Sequence, residues 1–389
     1  MKVDKTPIPK TVWTLGFVSL FMDLSSELIH SLLPIFLVTT LGASALTVGL
    51  IEGVAEATAL MVKVFSGTIS DFFGKRKYLI FIGYGMAALS KPLFPMAGNV
   101  ETVFTARFLD MIGKGIRGAP RDALIADVSP PEIRGACFGL RQSMDTVGSF
   151  LGPLLAVSLL FLYQGDIELV LWVAVVPAVL AVLLIAIGIE EPTAPPKRNA
   201  LRSPLNFKIL KEFSGRYRWV VALGALFTMA RFSEAFLVLR AAQIDLAVTW
   251  IPLAMVLMSL AYAVSAYPAG LWSDRVEKKG LLALGLAFLI MADLLLATTE
   301  TLPMLFTGLA LWGFHMGFSQ GILAAMVAET TPVDWKGSAF GLFNFVCGVF
   351  MLLASVLAGW LWDRYGAEFT FYCGALFASL TLLMLMKRY

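Results

Sequence analysis

Twelve mostly apolar runs, each near the length of about 20 residues that a helix needs to cross a bilayer, follow one another along this chain. They lie at 12–39, 47–70, 78–97, 102–121, 136–162, 168–189, 219–241, 248–271, 280–298, 302–325, 338–361 and 369–386. Lipid offers the backbone no hydrogen-bond partners, so a run buried in it must satisfy its own N–H and C=O groups, and at these lengths it does so as a helix. Composition agrees: 58% of the 389 residues are hydrophobic and 15% charged, whereas soluble domains are about one quarter charged. A soluble domain of this make-up would expose large apolar patches and aggregate.

The charges sort the loops. Lys2, Lys5 and Lys10 precede the first run; Lys75, Arg76 and Lys77 follow the second; Arg121 and Arg134 flank the loop after the fourth. Seven Lys and Arg residues fill the segment between the sixth and seventh runs; Arg275, Lys278 and Lys279 follow the eighth, and Lys387 and Arg388 end the chain. The opposite loops, TLGASALT, AGNVET and LYQGDIE, carry almost none. Positive residues stay on the cytoplasmic side. The expected topology is a multi-pass protein of the cell's inner (plasma) membrane with both termini in the cytoplasm. The basic start MKVDKTPIPK resembles a signal peptide, but Asp23, Glu27 and His30 interrupt the following run, so it reads as a retained span. The basic loops are explained by topology and need no nucleic-acid partner. Three cysteines without close spacing give neither a disulfide framework nor a zinc site.

The chain repeats itself. GTISDFFGKRK (Gly67, Asp71, Gly74, Lys75, Arg76) recurs as GLWSDRVEKK (Gly270, Asp274, Arg275), 203 positions on. DVSPPEIRGACFGL, from Asp127, recurs as ETTPVDWKGSAFGL, from Glu329. A duplicated six-helix unit accounts for both pairs. The expected organisation is a bundle at 1–190, a cytoplasmic linker at 191–218 and a second bundle at 219–389. The linker is rich in Pro and charge, and its stretch from Pro204 to Phe213 reads either as a short amphipathic helix or as plain solvated chain.

These residues resemble the major facilitator superfamily over the whole chain. Gly67-x-x-x-Asp71-x-x-Gly74-Lys75-Arg76 is similar to that family's signature loop, and Arg107-x-x-Asp110-x-x-Gly113 to its helix-four motif. Gly139, Gly148, Gly152 and Pro153 resemble the helix-five pattern found in proton-coupled exporters. The resemblance implies an all-α integral membrane fold of twelve transmembrane helices in two pseudo-symmetric six-helix bundles. It implies that Asp71 latches onto the start of span eleven, and Asp274 onto the start of span five. A helix start carries unpaired N–H groups and about half a positive charge. A carboxylate that only ends its own helix is the plainer alternative.

Charge inside a membrane is costly and marks functional candidates. Span one carries Asp23, Glu27 and His30 on one face, span two Glu52 and Glu56, span four Arg107 and Asp110, and span seven Arg231 and Glu234. The acids concentrate in the first half, which places the expected proton site there. The expectation is a relay among Asp23, Glu27, Glu56 and Asp110 with Arg107 as tuning cation; a static ion-pair network is the alternative. No phosphate-binding loop is present, so ATP is not the energy source. No catalytic triad or metal motif is visible, and an enzyme is not expected. The function read from the sequence is a secondary active transporter, by proton-coupled antiport (export) of a small molecule, taken as a monomer and without cofactor. The alternative is proton-coupled or passive transport of a metal ion, for which Asp23, Glu27 and His30 on one face, with His315 and Met316, are candidates, or of an organic anion, for which Arg231 and Arg240 are.

Overall fold

The computed structural model describes residues 7–73, 75–190, 214–244, 246–273, 276–331 and 335–387. All regular structure among these residues is helical, and apart from short turns it falls into twelve segments. We label them α1 (Lys10–His30), α2 (Ala45–Phe73), α3 (Arg76–Ser90), α4 (Val100–Val128), α5 (Arg134–Leu162) and α6 (Ile167–Val173 with Val175–Gly188). The others are α7 (Gly215–Ala230 with Ala235–Ala242), α8 (Leu253–Ser273), α9 (Lys278–Ala297), α10 (Leu302–Glu329), α11 (Lys336–Tyr365) and α12 (Ala367–Met386). Nine are long and apolar enough to cross a membrane by length and composition alone. The remaining three are α3, which is short, α4, which is heavily charged, and α10.

Proline sets two of the breaks. It has no N–H to give and collides with the carbonyl four residues back. Pro34 acts on His30, where α1 ends; a three-residue turn and a π-helical stretch, Phe36–Thr40, follow. Pro177 acts on Val173, where the first piece of α6 ends. Polar caps start other helices. Asn99 Oδ1 accepts from Thr102 N at 2.9 Å, Asp166 from Leu169 N at 3.1 Å, and Ser214 from Tyr217 N at 3.2 Å. Lys77 Nζ donates to the carbonyls of Ala186 and Ile189 at the end of α6, at 3.1 and 2.7 Å. A cation suits a helix C-terminus.

The expected span at 219–241 is not one helix. It breaks after Ala230 and resumes at Ala235, so Arg231 and Glu234 sit in the gap rather than on one helical face. No proline or glycine lies in the gap. Hydroxyls stabilise it instead: Ser233 Oγ accepts from Ala235 N at 3.2 Å, and Ser355 Oγ of α11 accepts from Ser233 N at 3.3 Å.

Two compact units form. The first is made of residues within Met1–His30 and Thr58–Ser203, the second of residues within Ser31–Ala57 and Pro204–Tyr389. The duplication boundary and the packing boundary therefore differ, because nearly the first half of α2, up to Ala57, packs with the second unit. The expected linker, 191–218, and its amphipathic stretch lie outside the described residues as far as Phe213.

In the first unit Val12, Leu15, Val18 and Met22 of α1 pack against Tyr84 of α3, Leu124 of α4 and Ala181 of α6. Glycines bring backbones together, as small residues do in membrane bundles. A Cβ on Gly113 of α4 would lie 2.5 Å from the Gly83 carbonyl of α3 and 3.0 Å from Ala87 N. In the second unit Gly313 of α10 fits in the same way against Ala261 of α8, and Gly224 of α7 against Phe343 of α11. Gly113→Leu should cost about 1–3 kcal/mol by overpacking. Thermal unfolding in detergent checks this, with Gly85→Leu, where a Cβ meets nothing within 4 Å, as the neutral control.

Candidate functional site

The first unit gathers most of the charge that the sequence places in the membrane. Lys91 sits just past α3, where Pro92 tightens the chain into a 3-10 turn. It is fully buried, and its ammonium lies 3.0 Å from Asp110 Oδ2 and donates to Ser26 Oγ of α1 at 2.9 Å. Arg107, one turn before Asp110 on α4, reaches the same Oδ2 at 3.6 Å. Asp110 is thus the anion of a network tying α1, α3 and α4 together. The sequence pairs Arg107 with Asp110 through their spacing, but Lys91 joins them from another helix.

A second network lies along α4 and α5. Arg121 Nη1 donates to Ser19 Oγ at 3.2 Å and to Tyr84 Oη at 3.4 Å, and lies 3.9 Å from Asp145 Oδ1. Arg141 Nη1 lies 3.3 Å from Asp145 Oδ2. The Arg117 guanidinium covers the Tyr84 ring at 4.5 Å. Asp23 of α1 faces Asp145 of α5, with Arg117 and Glu27 also facing it electrostatically. Glu27 Oε2 lies 3.5 Å from His30 Nδ1, and Lys114 and Arg107 also face this carboxylate.

The helix-five glycines explain how the acids meet. A Cβ on Gly148 would lie 2.5 Å from Leu20 O and 3.1 Å from Asp23 Cβ. One on Gly152 would lie 2.9 Å from Glu27 Cβ, Leu24 O and Leu28 N. Gly148 and Gly152 therefore let α5 rest on α1 at the level of its two acids. Gly139 has no such neighbour. Pro153 is buried inside α5 beside Gly152.

Of the remaining candidates, Glu52 and Glu56 belong to the part of α2 that packs in the second unit. Arg231, in the gap of α7, faces His315 and Cys347 electrostatically. Glu234 opens the second piece of α7, where its carbonyl accepts from Leu237 N at 3.0 Å. His315 Nδ1 lies 3.0 Å from the Gly285 carbonyl, which makes Nδ1 the protonated nitrogen. Asp293 of α9 is fully buried, with neither oxygen hydrogen-bonded among the described residues, and Gly374 of α12 leaves the room its carboxyl occupies. Arg240 is committed elsewhere. Its guanidinium donates to the carbonyls of Leu296, Ala297 and Thr299 at 2.9, 3.2 and 3.0 Å, and to Gln243 Oε1 at 2.9 Å, closing the end of α9. It has little left for an anionic cargo. No group of three His, Cys, Asp or Glu is placed to hold a metal among the described residues.

The loop motifs are covered in part. Gly74, Asp274 and Arg275 lie outside the described residues, as does the side chain of Asp71. A Cβ on Gly67 would touch Ala119 at 3.4 Å, and Gly270 has open space beside it. Lys75 lies over the Tyr78 ring at 5.7 Å. Arg76 is buried and paired, with Nε 2.6 Å from Asp127 Oδ2 and Nη1 3.4 Å from Ser70 Oγ. It binds the repeated Asp127 segment to the end of α2, which goes beyond fixing topology. The sequence reading missed a third copy of the motif. Gly359-x-x-x-Asp363-x-x-Gly366 has the spacing of Gly67, Asp71 and Gly74 and ends α11. Asp363 accepts from the backbone N–H of Ala45 at 3.0 Å and of Leu46 at 2.9 Å, at the start of α2.

Residues 15–354 match the family model described as Major Facilitator Superfamily. An uncharacterised MFS-type transporter of Methanocaldococcus jannaschii is 31% identical over 97% of this chain and 95% of its own length. A multidrug resistance protein, MdtH, of Yersinia pestis is 27% identical over 89% of this chain and 85% of its own. Among solved structures, that of the nucleoside transporter NupG superposes with a TM-score of 0.81 at 14% identity, covering 97% of this chain and 99% of the other.

Lys91→Met strands the Asp110 carboxylate beside a more distant Arg107. Removing one partner of a buried ion pair costs about 3–5 kcal/mol. Lys91→Met combined with Asp110→Asn should recover most of that loss. Thermal unfolding of the two single variants and the double variant in detergent measures the coupling.

Proposed function

We propose that this chain, which belongs to the Major Facilitator Superfamily, is a proton-coupled exporter of a small cationic or neutral amphiphile, working by alternating access. Membership makes it a multi-pass membrane transporter of a small molecule. The finer reading rests chiefly on one feature, the facing of Asp23 and Asp145 where Gly148 lets α5 close on α1. Two carboxyl groups set against each other repel when both are anions, so the pair is suited to sharing one proton. Arg121 and Arg141 flank Asp145 and supply counter-charge when that proton leaves. Glu27 and His30 form an adjoining acid–base pair on the same face of α1.

This assignment revises the relay. Asp110 is shared by Lys91 and Arg107, and its role becomes holding α4 to α3 and α1. Glu56 has no assigned part. The name of the Yersinia pestis relative, a multidrug resistance protein, supports export of amphiphilic cargo. The cytoplasmic placement of both termini follows from the loop charges alone. A second reading, an organic anion held at Arg231, is favoured by one observation: no carboxylate pairs with that guanidinium among the described residues.

The test is flux into proteoliposomes. With an acid interior, the wild type should accumulate a fluorescent cationic amphiphile as protons leave. Asp23→Asn and Asp145→Asn should each bring the gradient-driven uptake down to the protein-free level, while exchange of labelled for unlabelled cargo continues. Wild-type uptake indifferent to the pH gradient, or gradient-driven uptake preserved in both variants, would refute the coupling. Uptake of organic anions lost in Arg231→Gln would replace the cationic reading with the second one.

A further inference from the structure

A helix start has four N–H groups without partners inside the helix. In α2 the first two are taken by a side chain from far along the chain. Asp363 Oδ1 accepts from Ala45 N at 3.0 Å and Oδ2 from Leu46 N at 2.9 Å. The third, Thr47 N, is served locally by Ser44 Oγ at 3.2 Å. The backbones touch at the same level. A Cβ on Gly359 would lie 2.5 Å from Ala45 O and 2.6 Å from Leu46 Cα. A Cβ on Gly53 would lie 3.2 Å from Leu352 Cα and 3.1 Å from Ser355 Cβ, and one on Gly49 would collide with the Ser355 carbonyl. Gly49 and Gly53 on α2 thus face Ser355 and Gly359 on α11.

The duplication assigns α2 to the first repeat and α11 to the second, yet Ser31–Ala57 packs in the same compact unit as α11. We propose that Asp363 is a gate residue. It holds the start of α2 to the end of α11 when the face bearing Ser44 and Tyr365 is shut, and releases it when that face opens. The loop charges put this face outside the cell, opposite the ends of α2 and α8 that carry the other two copies of the motif. The proposal rests on alternating access, but not on protons or on any particular cargo.

The chemistry suits a contact that must break and re-form. Asp363 is an exposed residue at the edge of the contact, so its carboxylate re-enters water readily. Ser44 and Thr47, whose hydroxyls lie 3.2 Å apart, remain to cap α2 after Asp363 has left. At Gly359 the contact is backbone against backbone, while Leu352 and Phe236 pack beside Gly53 and Gly49.

The experiment measures distances between spin labels on Leu50→Cys and Trp360→Cys, both at exposed positions, in full-length protein with Cys137, Cys347 and Cys373 changed to Ser. Asp363→Ala should raise the ratio of long-distance to short-distance populations between about twofold and about thirtyfold, the range for a carboxylate at a helix start. Asp363→Asn should act in the same direction but less, because it keeps one acceptor. Gly359→Leu should act likewise by wedging the helices apart. Unchanged distributions in folded Asp363→Ala and Gly359→Leu would overturn the proposal. In the wild type, hydrogen exchange at the Ala45 and Leu46 amides should follow the long-distance population as conditions shift it. Exchange independent of that population would also overturn the proposal. None of these readouts uses flux, so a failed exporter reading leaves them standing, and their failure leaves the exporter reading untouched.

Discussion

Gly148 and Gly152 let α5 lie on the backbone of α1 where Asp23 and Glu27 project, and the arrangement of charge in the first unit follows from that closeness. With side chains at those positions, the helices would separate by the width of a methyl group or more, and Asp23 would be drawn away from Asp145. A lone acid in lipid is a liability. An acid set against a second acid, with Arg121 and Arg141 behind, is the pair to which the proposed proton coupling is assigned. On that proposal, helix packing and proton chemistry are a single feature of the sequence.

The remaining buried charges follow a different logic. Burying an ion pair gains little net stability, because desolvation offsets most of the attraction, while removing one partner costs much more. The Lys91–Asp110–Arg107 network thus penalises misplacement of α1, α3 and α4 more than it stabilises their correct packing. Arg76 with Asp127, and Arg240 with the last carbonyls of α9, work in the same way at the ends of helices. Such contacts fix which helices neighbour which in a solvent where apolar side chains prefer protein no more than lipid.

Much of this was legible in the residues, for physical reasons that differ from place to place. The twelve spans followed from hydropathy because lipid leaves the backbone no alternative. The breaks at His30 and Val173 follow from Pro34 and Pro177 by simple counting. The break at Arg231 has no such marker; it depends on Ser355, over one hundred residues away, which no local pattern reveals. Asp110 was found, but its partner Lys91 was not, since spacing within a helix says nothing about a neighbouring helix. Asp145 lies in span five, for which the motif reading names only glycines and a proline, and packing alone brings it to face Asp23. The third copy of the Gly-x-x-x-Asp motif went unnoticed because aligning the two halves finds only what both halves share. Asp363 belongs to the second half alone.

Between α11 and α12 there is a single residue, Gly366, with φ at +108°, a backbone conformation open to glycine and strained for other residues. The junction has no slack, so any displacement at the end of α11 is also a displacement at the start of α12. Phe369, Tyr372, Leu376, Leu380 and Leu383 form an exposed stripe along α12 at helical spacing, where acyl chains would lie against it. Swinging that stripe means reordering the surrounding lipid. If the proposed gate opens, the work of opening includes a contribution from the bilayer itself, and acyl-chain length and lateral pressure become settings of the conformational balance.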